Sequence, residues 1–188
     1  MNWFHRQVCR SGRWRRRVEG ELLPCTLQGV ELGDDVLEIG PGPGVTTDVL
    51  RGRTSRLTAL EVEAAAAAAL EKRLTGTGVR VVHGDGAAMP FADGSFSGVV
   101  AFTMLHHVPT AELQDRLLAE ARRVLRPGGV FAGFDGVGSF LFWLVHLGDT
   151  YFPVNPDTFG RRLEAAGFTS VAVERGWGRF RFRATRPL

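Results

Sequence analysis

The 188-residue chain predicts a parallel, doubly wound α/β sheet, on three observations. Short β-branched runs recur from Asp34 onward, each run ends at a glycine or proline break, and helical patterns separate the runs at crossover spacing. The balance of 44% hydrophobic and 23% charged residues, with 24 glycines, is that of one folded domain rather than a disordered tail or a fibre. A domain of this size removes roughly two-thirds of its unfolded surface from water, so a core forms without disulfides. Cys9 and Cys25 belong to no CxxC and no Cys/His cluster of zinc spacing, and they read as incidental thiols of a reducing compartment.

The elements follow in order. Phe4, Val8, Trp14, Val18 and Leu22 fall near helical spacing and predict one or two amphipathic helices at the start. Residues 36–39 form a first strand that stops at Gly40, and a helix follows over about 45–50. A second strand spans 57–62, and 64–74 is a helix of strong formers. Strands at 79–82 and 96–102 come next, then a helix opening at Thr110, whose hydroxyl is placed to cap it. Leu113, Leu117, Leu118, Ala121, Val124 and Leu125 share one face of that helix. Pro127-Gly128-Gly129 stops it before a fifth strand at 130–134. Residues 136–156 are rich in aromatics and broken by Gly148, Pro153 and Pro156. A helix at about 156–166 and strands at 171–174 and 179–185 complete the chain. In the last strand Phe180, Phe182 and Ala184 alternate with Arg179, Arg181 and Arg183, which gives one buried and one wet face and places it at or near a sheet edge.

Charge is unevenly distributed. Residues 1–17 carry six arginines and no acid, residues 175–188 carry five arginines and no acid, and the middle holds twelve basic against twenty acidic groups. The basic ends read first as solvated faces. Their other readings are a phosphate-binding surface with Trp3 and Trp14 as stacking platforms, or peripheral membrane contact through residues 1–17. The longest apolar stretch, 140–147, contains His146 and falls far short of the ~20 residues of a membrane span. The arginines at the start run into Glu19 and Glu21 rather than an apolar core, so no secretory signal is expected and the expected location is cytoplasmic.

The strongest motif is Glu38-Ile39-Gly40-Pro41-Gly42-Pro43-Gly44, between the first strand and its helix. Glycines there let the backbone turn sharply and approach a ligand closely. Glu61, 21 residues beyond Gly40 at the end of the second strand, stands where an acid accepts hydrogen bonds from a ribose. A dinucleotide fingerprint starting at Gly40 needs Gly or Ala at position 45, which is Val45, and Gly44 is not followed by the Lys-Ser/Thr of a P-loop. The spacing therefore points to a nucleoside carrying an amino acid.

The runs VLEIGPGPGVTT (36–47), TALEVE (58–63), VVHGDGAAMPFADGSFSGVVAFTMLHHV (81–108) and RVLRPGGVF (123–131) resemble, in order, the motif series of class I S-adenosylmethionine-dependent methyltransferases, and more narrowly the small-molecule branch of quinone-biosynthesis type. The resemblance covers about 34–135 well and the last two strands in outline. It implies a Rossmann-like, mostly parallel seven-stranded sheet with helices on both faces and an antiparallel last strand. It further implies a single domain, with 1–30 as a helical lid, 31–135 as the cofactor-binding core, 136–156 as a substrate-side insertion and 157–188 as the last helix and strands.

For S-adenosyl-L-methionine, the resemblance implies that Gly40, Gly42 and Gly44 lie against its methionine part and ribose. Glu38 is oriented to the ammonium end, or is an internal brace. Glu61 takes the ribose hydroxyls, Asp85 and Gly86 meet the adenine, with a loop cap as the competing role of Asp85, and Val62 and Met89 wall it. Ala101 and Phe102 offer a carbonyl to the ammonium group. Methyl transfer by in-line displacement needs positioning, and no metal is required. His106 and His107 follow the fourth strand; adjacent side chains point apart, so at most one faces the pocket, His107 being favoured. Asp135, then His146 and Tyr151, are further candidates for the acceptor's proton. Phe140, Phe142, Trp143, Tyr151 and Phe152 would wall an apolar acceptor site. The expected partner is a small, apolar or aromatic acceptor. A nucleic-acid substrate is disfavoured, because no Asn/Asp-Pro-Pro-Tyr/Phe run follows the fourth strand.

Overall fold

A computed structural model describes residues 11–138, 144, 146, 148–176 and 178–188. Helix α1 (Gly12–Arg17) continues through a π-helical segment (Val18–Leu22) into α2 (Leu23–Leu27). Then follow β1 (Asp35–Ile39), α3 (Val45–Leu50), β2 (Arg56–Glu61), α4 (Ala64–Arg73), β3 (Arg80–His83), β4 (Phe96–Phe102), a 3-10 turn (Leu105–His107), α5 (Ala111–Val124) and β5 (Leu125–Gly136). Helix α6 (Pro156–Ala165), β6 (Thr169–Gly176) and β7 (Arg179–Thr185) close the chain.

The seven strands form one sheet in the order β3-β2-β1-β4-β5-β7-β6. The first five are mutually parallel, and β7 runs antiparallel to both β5 and β6. Strand β7 thus lies one place in from the edge, and β6 takes the edge itself. Chain order reverses direction across the sheet at β1 and β4, and in open α/β sheets such a reversal opens a crevice beyond the carboxyl ends of the strands.

Each face of the sheet is covered by helices whose apolar stripe the sequence dictates. Leu117, Leu118, Ala121 and Val124 of α5 and Phe159 and Leu163 of α6 pack on one face against Leu37, Val99, Phe131 and Phe182. Thr110 caps α5 as expected, its hydroxyl accepting from the Leu113 amide at 3.2 Å. On the other face Val18, Leu22, Leu23 and Leu27 pack with Val45 and Leu50 of α3 against Val36, Val100, Ala132 and Phe134. Part of the stretch expected as a lid over 1–30 thus belongs to the core, and Trp14 lines the cavity described below. Val18 and Leu23 are fully buried, so residues 18–27 are a fixed layer of the core, while residues 1–10, with Trp3, Phe4 and Val8, lie outside the described residues.

A correction concerns β5, expected over 130–134. It begins at Leu125, opposite Phe96, and resumes pairing at Val130 opposite Gly98, so the Arg126-to-Gly129 stretch is a bulge within the strand as well as the stop of α5.

The alternation in β7 holds: Phe180, Phe182 and Ala184 are buried. Phe182 packs edge-on against Phe131 and Phe159, with ring centroids 4.9 and 5.1 Å away. Phe182→Ala should lower the free energy of unfolding by about 3–5 kcal/mol in urea titrations, whereas exposed Arg183→Ala should stay within roughly 0.5 kcal/mol of wild type.

Candidate functional site

At the carboxyl end of β1 the chain turns on glycine. Gly40 has φ 66°, and a side chain there would meet Met104 Cβ at 2.8 Å. Gly42 has φ 53°, and a Cβ added to it meets nothing within 4 Å, so its backbone is left open to a ligand. Gly44 opens α3 in the same left-handed region.

Glu61, at the end of β2, fastens this turn. Its Oε2 accepts from the Gly42 amide at 3.1 Å and its Oε1 from the Glu63 amide at 3.0 Å. The carboxylate is 7% exposed and keeps lone-pair sites beyond those two bonds. Gly40, Gly42, Glu61, Val62 and Phe102 all line one cavity of about 370 Å3, together with Trp14, Thr46, Thr103, Met104 and His107. That is a size suited to a small ligand, since such sites run from roughly 300 to 1,000 Å3.

Other expected site residues stand off the cavity wall. Glu38 is 1% exposed and turns under α3, accepting from the hydroxyls of Thr46 and of Thr47, the latter at 2.6 Å. It is the internal brace of the glycine turn, and Thr46 is the residue it presents to the cavity. Burial pushes the Glu38 carboxyl up to about 7, against the opposing effect of the two hydroxyls. Asp85 is exposed beyond β3 and caps its own loop, accepting from the Ala87 amide at 2.8 Å. Gly86 is buried, where a side chain would press on Leu117 and Ile39. Met89 and Ala101 belong to the core, at 5% and 1% exposure, which corrects the expectation of Met89 as a wall. Phe102 is buried against Phe134 while reaching the cavity.

The two histidines do not point apart as expected: their rings meet, with centroids 4.3 Å apart, although of the two His107 alone is in the cavity lining. His107 lines the cavity, its Nδ1 3.1 Å from the Thr150 carbonyl. His106 is 1% exposed, with Nδ1 2.5 Å from Asp135 Oδ1 and its amide donating to Asp135 Oδ2 at 3.1 Å. Asp135 also accepts from the Gly136 amide and is 1% exposed, so it holds His106 rather than facing an acceptor. His146 packs its Nε2 3.1 Å from His106 Nε2 and stacks on Tyr151. Gln114 Nε2 donates to the carbonyls of Leu105 and Phe152, both at 3.0 Å, and docks residues 150–152 on the histidine turn. Phe140, Phe142 and Trp143 lie outside the described residues, and Phe152 is 40% exposed.

Sequence spacing gave no notice of Arg73. Its guanidinium donates to the Gly44 carbonyl and to Asp48, both at 3.0 Å, and Asp48 also pairs with Arg15 at 2.9 Å. These groups come from three helices, and no local pattern records their meeting. Thr103 was likewise unmarked. It lines the cavity in the left-handed region, φ 50°, its amide donating to the Phe134 carbonyl at 2.8 Å.

Residues 37–133 match the family described as Methyltransferase domain. A probable S-adenosylmethionine-dependent methyltransferase of Mycolicibacterium smegmatis is 36% identical over 99 residues, which are 53% of this chain and 37% of that protein. A demethylmenaquinone methyltransferase of Staphylococcus aureus is 34% identical over 123 residues, 62% of this chain and 46% of the relative. The chain therefore spans less than half the length of both relatives. Among solved structures, a SAM-dependent methyltransferase from Aquifex aeolicus matches with a TM-score of 0.76 at 18% identity over 99% of each chain, a likeness of fold.

The raised Glu38 carboxyl has a pH signature. Between its ordinary 4.5 and about 7 the folded state holds a proton that the unfolded chain has released, so stability falls as pH rises through that window. Urea midpoints measured against pH should show a loss on the order of 3 kcal/mol across it, and Glu38→Gln should flatten the profile.

Proposed function

The chain belongs to the class I S-adenosylmethionine-dependent methyltransferase family, and on that premise we propose that it transfers the methyl group of S-adenosylmethionine to a small, apolar or aromatic acceptor. The observation that carries this reading is the cavity floor, where the open backbone of Gly42 and the pinned carboxylate of Glu61 lie side by side at the carboxyl ends of β1 and β2. The cradle fits the cofactor. A bare backbone admits its methionine and ribose portion along Gly40 and Gly42, whereas Gly44, packed against Arg73 and Leu70, serves the turn into α3 and stands off the cavity lining; the spare lone pairs of Glu61 suit a ribose diol.

S-adenosylmethionine, when bound, supplies a methyl group already activated on a sulfonium. The chain's own contribution is to hold, align and dry the reactants. Glu61 fixes the ribose. Val62, 64% exposed beside it, gives the adenine an apolar face, and Asp85 and Gly86 lie farther along the same sheet edge for its polar rim. The carbonyl at Phe102 closes the ammonium end, with Ala101 behind it in the core. Glu38 acts from beneath, by holding Thr46 and Thr47.

On the acceptor side His107 presents the candidate catalytic nitrogen. With Nδ1–H donated to the Thr150 carbonyl, Nε2 carries the lone pair. His106 and Asp135 act through its position. Phe102, Met104 and Trp14 give the wall an apolar patch, next to the polar Thr103, Asp149 and Thr150, and that patch favours a flat or lipid-like acceptor over a phosphate backbone. No helix among the described residues is long and apolar enough to cross a membrane.

Calorimetric titration with S-adenosylmethionine and S-adenosylhomocysteine tests the cofactor. Binding is expected in the wild type, at least about tenfold weaker in Glu61→Gln and weakened in Asp85→Asn; no binding, or full binding in Glu61→Gln, would overturn it. Incubating cell extract with isotope-labelled cofactor and identifying the labelled product by mass spectrometry tests the acceptor class; a labelled nucleic acid as the only product would exclude the small-molecule reading.

A further inference from the structure

Two adjacent imidazoles, His106 and His107, and a third from a distant stretch, His146, converge beside the cavity. The ring centroids of His106, His107 and His146 lie 4.3, 4.9 and 5.2 Å apart in pairs. One ring nitrogen of each lies within 4.8 Å of the corresponding nitrogens of the other two. His106 and His146 are 1% and 2% exposed, whereas His107 opens onto the cavity.

The tautomers are set from outside the cluster. Asp135 accepts the Nδ1 proton of His106 and the Thr150 carbonyl that of His107, so both rings turn a lone pair on Nε2 to other partners. A carboxylate or carbonyl behind each imidazole is the arrangement that orients histidine as a metal ligand and raises its basicity. The Nε2 atoms of His106 and His146 then face each other at 3.1 Å. Two such nitrogens share either one proton or one cation, because two lone pairs or two N–H groups repel. Imidazole nitrogens on one tetrahedral zinc ion, each about 2.0–2.1 Å from it, are about 3.3 Å apart.

We propose that His106, His107 and His146 form a three-histidine site for a divalent transition-metal ion, Zn2+ being the natural fit, with the fourth position open to the acceptor side of the cavity; in the metal-loaded chain His107 Nε2 is a ligand and does not take the acceptor's proton. Three neutral imidazoles are a ligand set that suits zinc, copper, nickel or iron and excludes calcium and magnesium, which take oxygen. Three protein ligands and one open position are the pattern of a catalytic rather than a structural zinc site. The sequence expectation of no metal rested on the chemistry of in-line methyl transfer; the cluster itself joins His106 to His146, 40 positions away.

The test uses Co2+ as a spectroscopic probe on protein pretreated with a chelator. One equivalent of Co2+ per chain should bind with the intense visible bands of tetrahedral coordination and be displaced by Zn2+. His146→Gln and His107→Ala should each weaken binding at least tenfold and lose those bands, and Asp135→Asn should weaken it by about 10–100-fold. Zn2+ should also raise the melting temperature of the wild type but not of His146→Gln. Weak octahedral bands, no binding, or unchanged affinity in both ligand variants would overturn the proposal and leave the shared proton. Should a variant fail to fold, protection of wild-type histidines from diethylpyrocarbonate by Zn2+ decides, absence of protection counting against the site. Calorimetry with S-adenosylmethionine on the metal-free protein reads the methyl-transfer proposal separately.

Discussion

A single carboxylate joins the two turns on which the cleft is built. The amides of Gly42 and Glu63 sit at strand-to-helix turns, where no strand or helix partner is available to them, and Glu61 accepts from both. Leaving such donors unpaired at a nearly buried position costs about 1–3 kcal/mol each, so the side chain fixes the loop after β1 relative to the loop after β2. The parallel register does the rest, aligning Ile39 with Leu60 and with Ala101 so that three strand ends reach the same edge. Glu38 shows the opposite balance. It is buried with hydroxyl partners and no cation in contact, and its proton affinity rises accordingly.

The order and type of nearly every element were legible because they rest on local signals. Period-2 alternation in residues 179–185, a cap at Thr110 and glycine breaks after strands are read within a few positions. The site was legible to the same extent: the glycine turn and Glu61 are close in pattern and in space. What escaped depends on encounters that no spacing encodes. The bulge in β5 follows from Leu125 pairing with Phe96, 29 positions away. The partnership of His106 with Asp135 and His146 joins three separate stretches, and Arg73 meets the Gly44 carbonyl only because α4 lies over α3.

The uneven charge also acquires a structural account. Arg15 pairs with Asp48 and Glu19, Arg17 with Glu21, and Arg181 with Glu174 and the Cys25 carbonyl. Of these contacts, Arg15 with Asp48 ties α1 to α3 and Arg181 with the Cys25 carbonyl ties β7 to α2. Each exposed pair contributes little, at most about 1 kcal/mol. The arginines at these positions thus pair with acidic neighbours on the surface.

Pro41 and Pro43 alternate with the three glycines and line the same cavity. The glycines take dihedrals that other residues avoid, at the cost of the wide freedom they have in the unfolded chain, and the prolines, with φ fixed by their rings, offset part of that cost. A loop set in this way is already ordered when a ligand arrives. Association then proceeds without the entropic penalty of freezing a flexible segment, and the contacts made along Gly40 to Pro43 are retained almost undiminished in affinity.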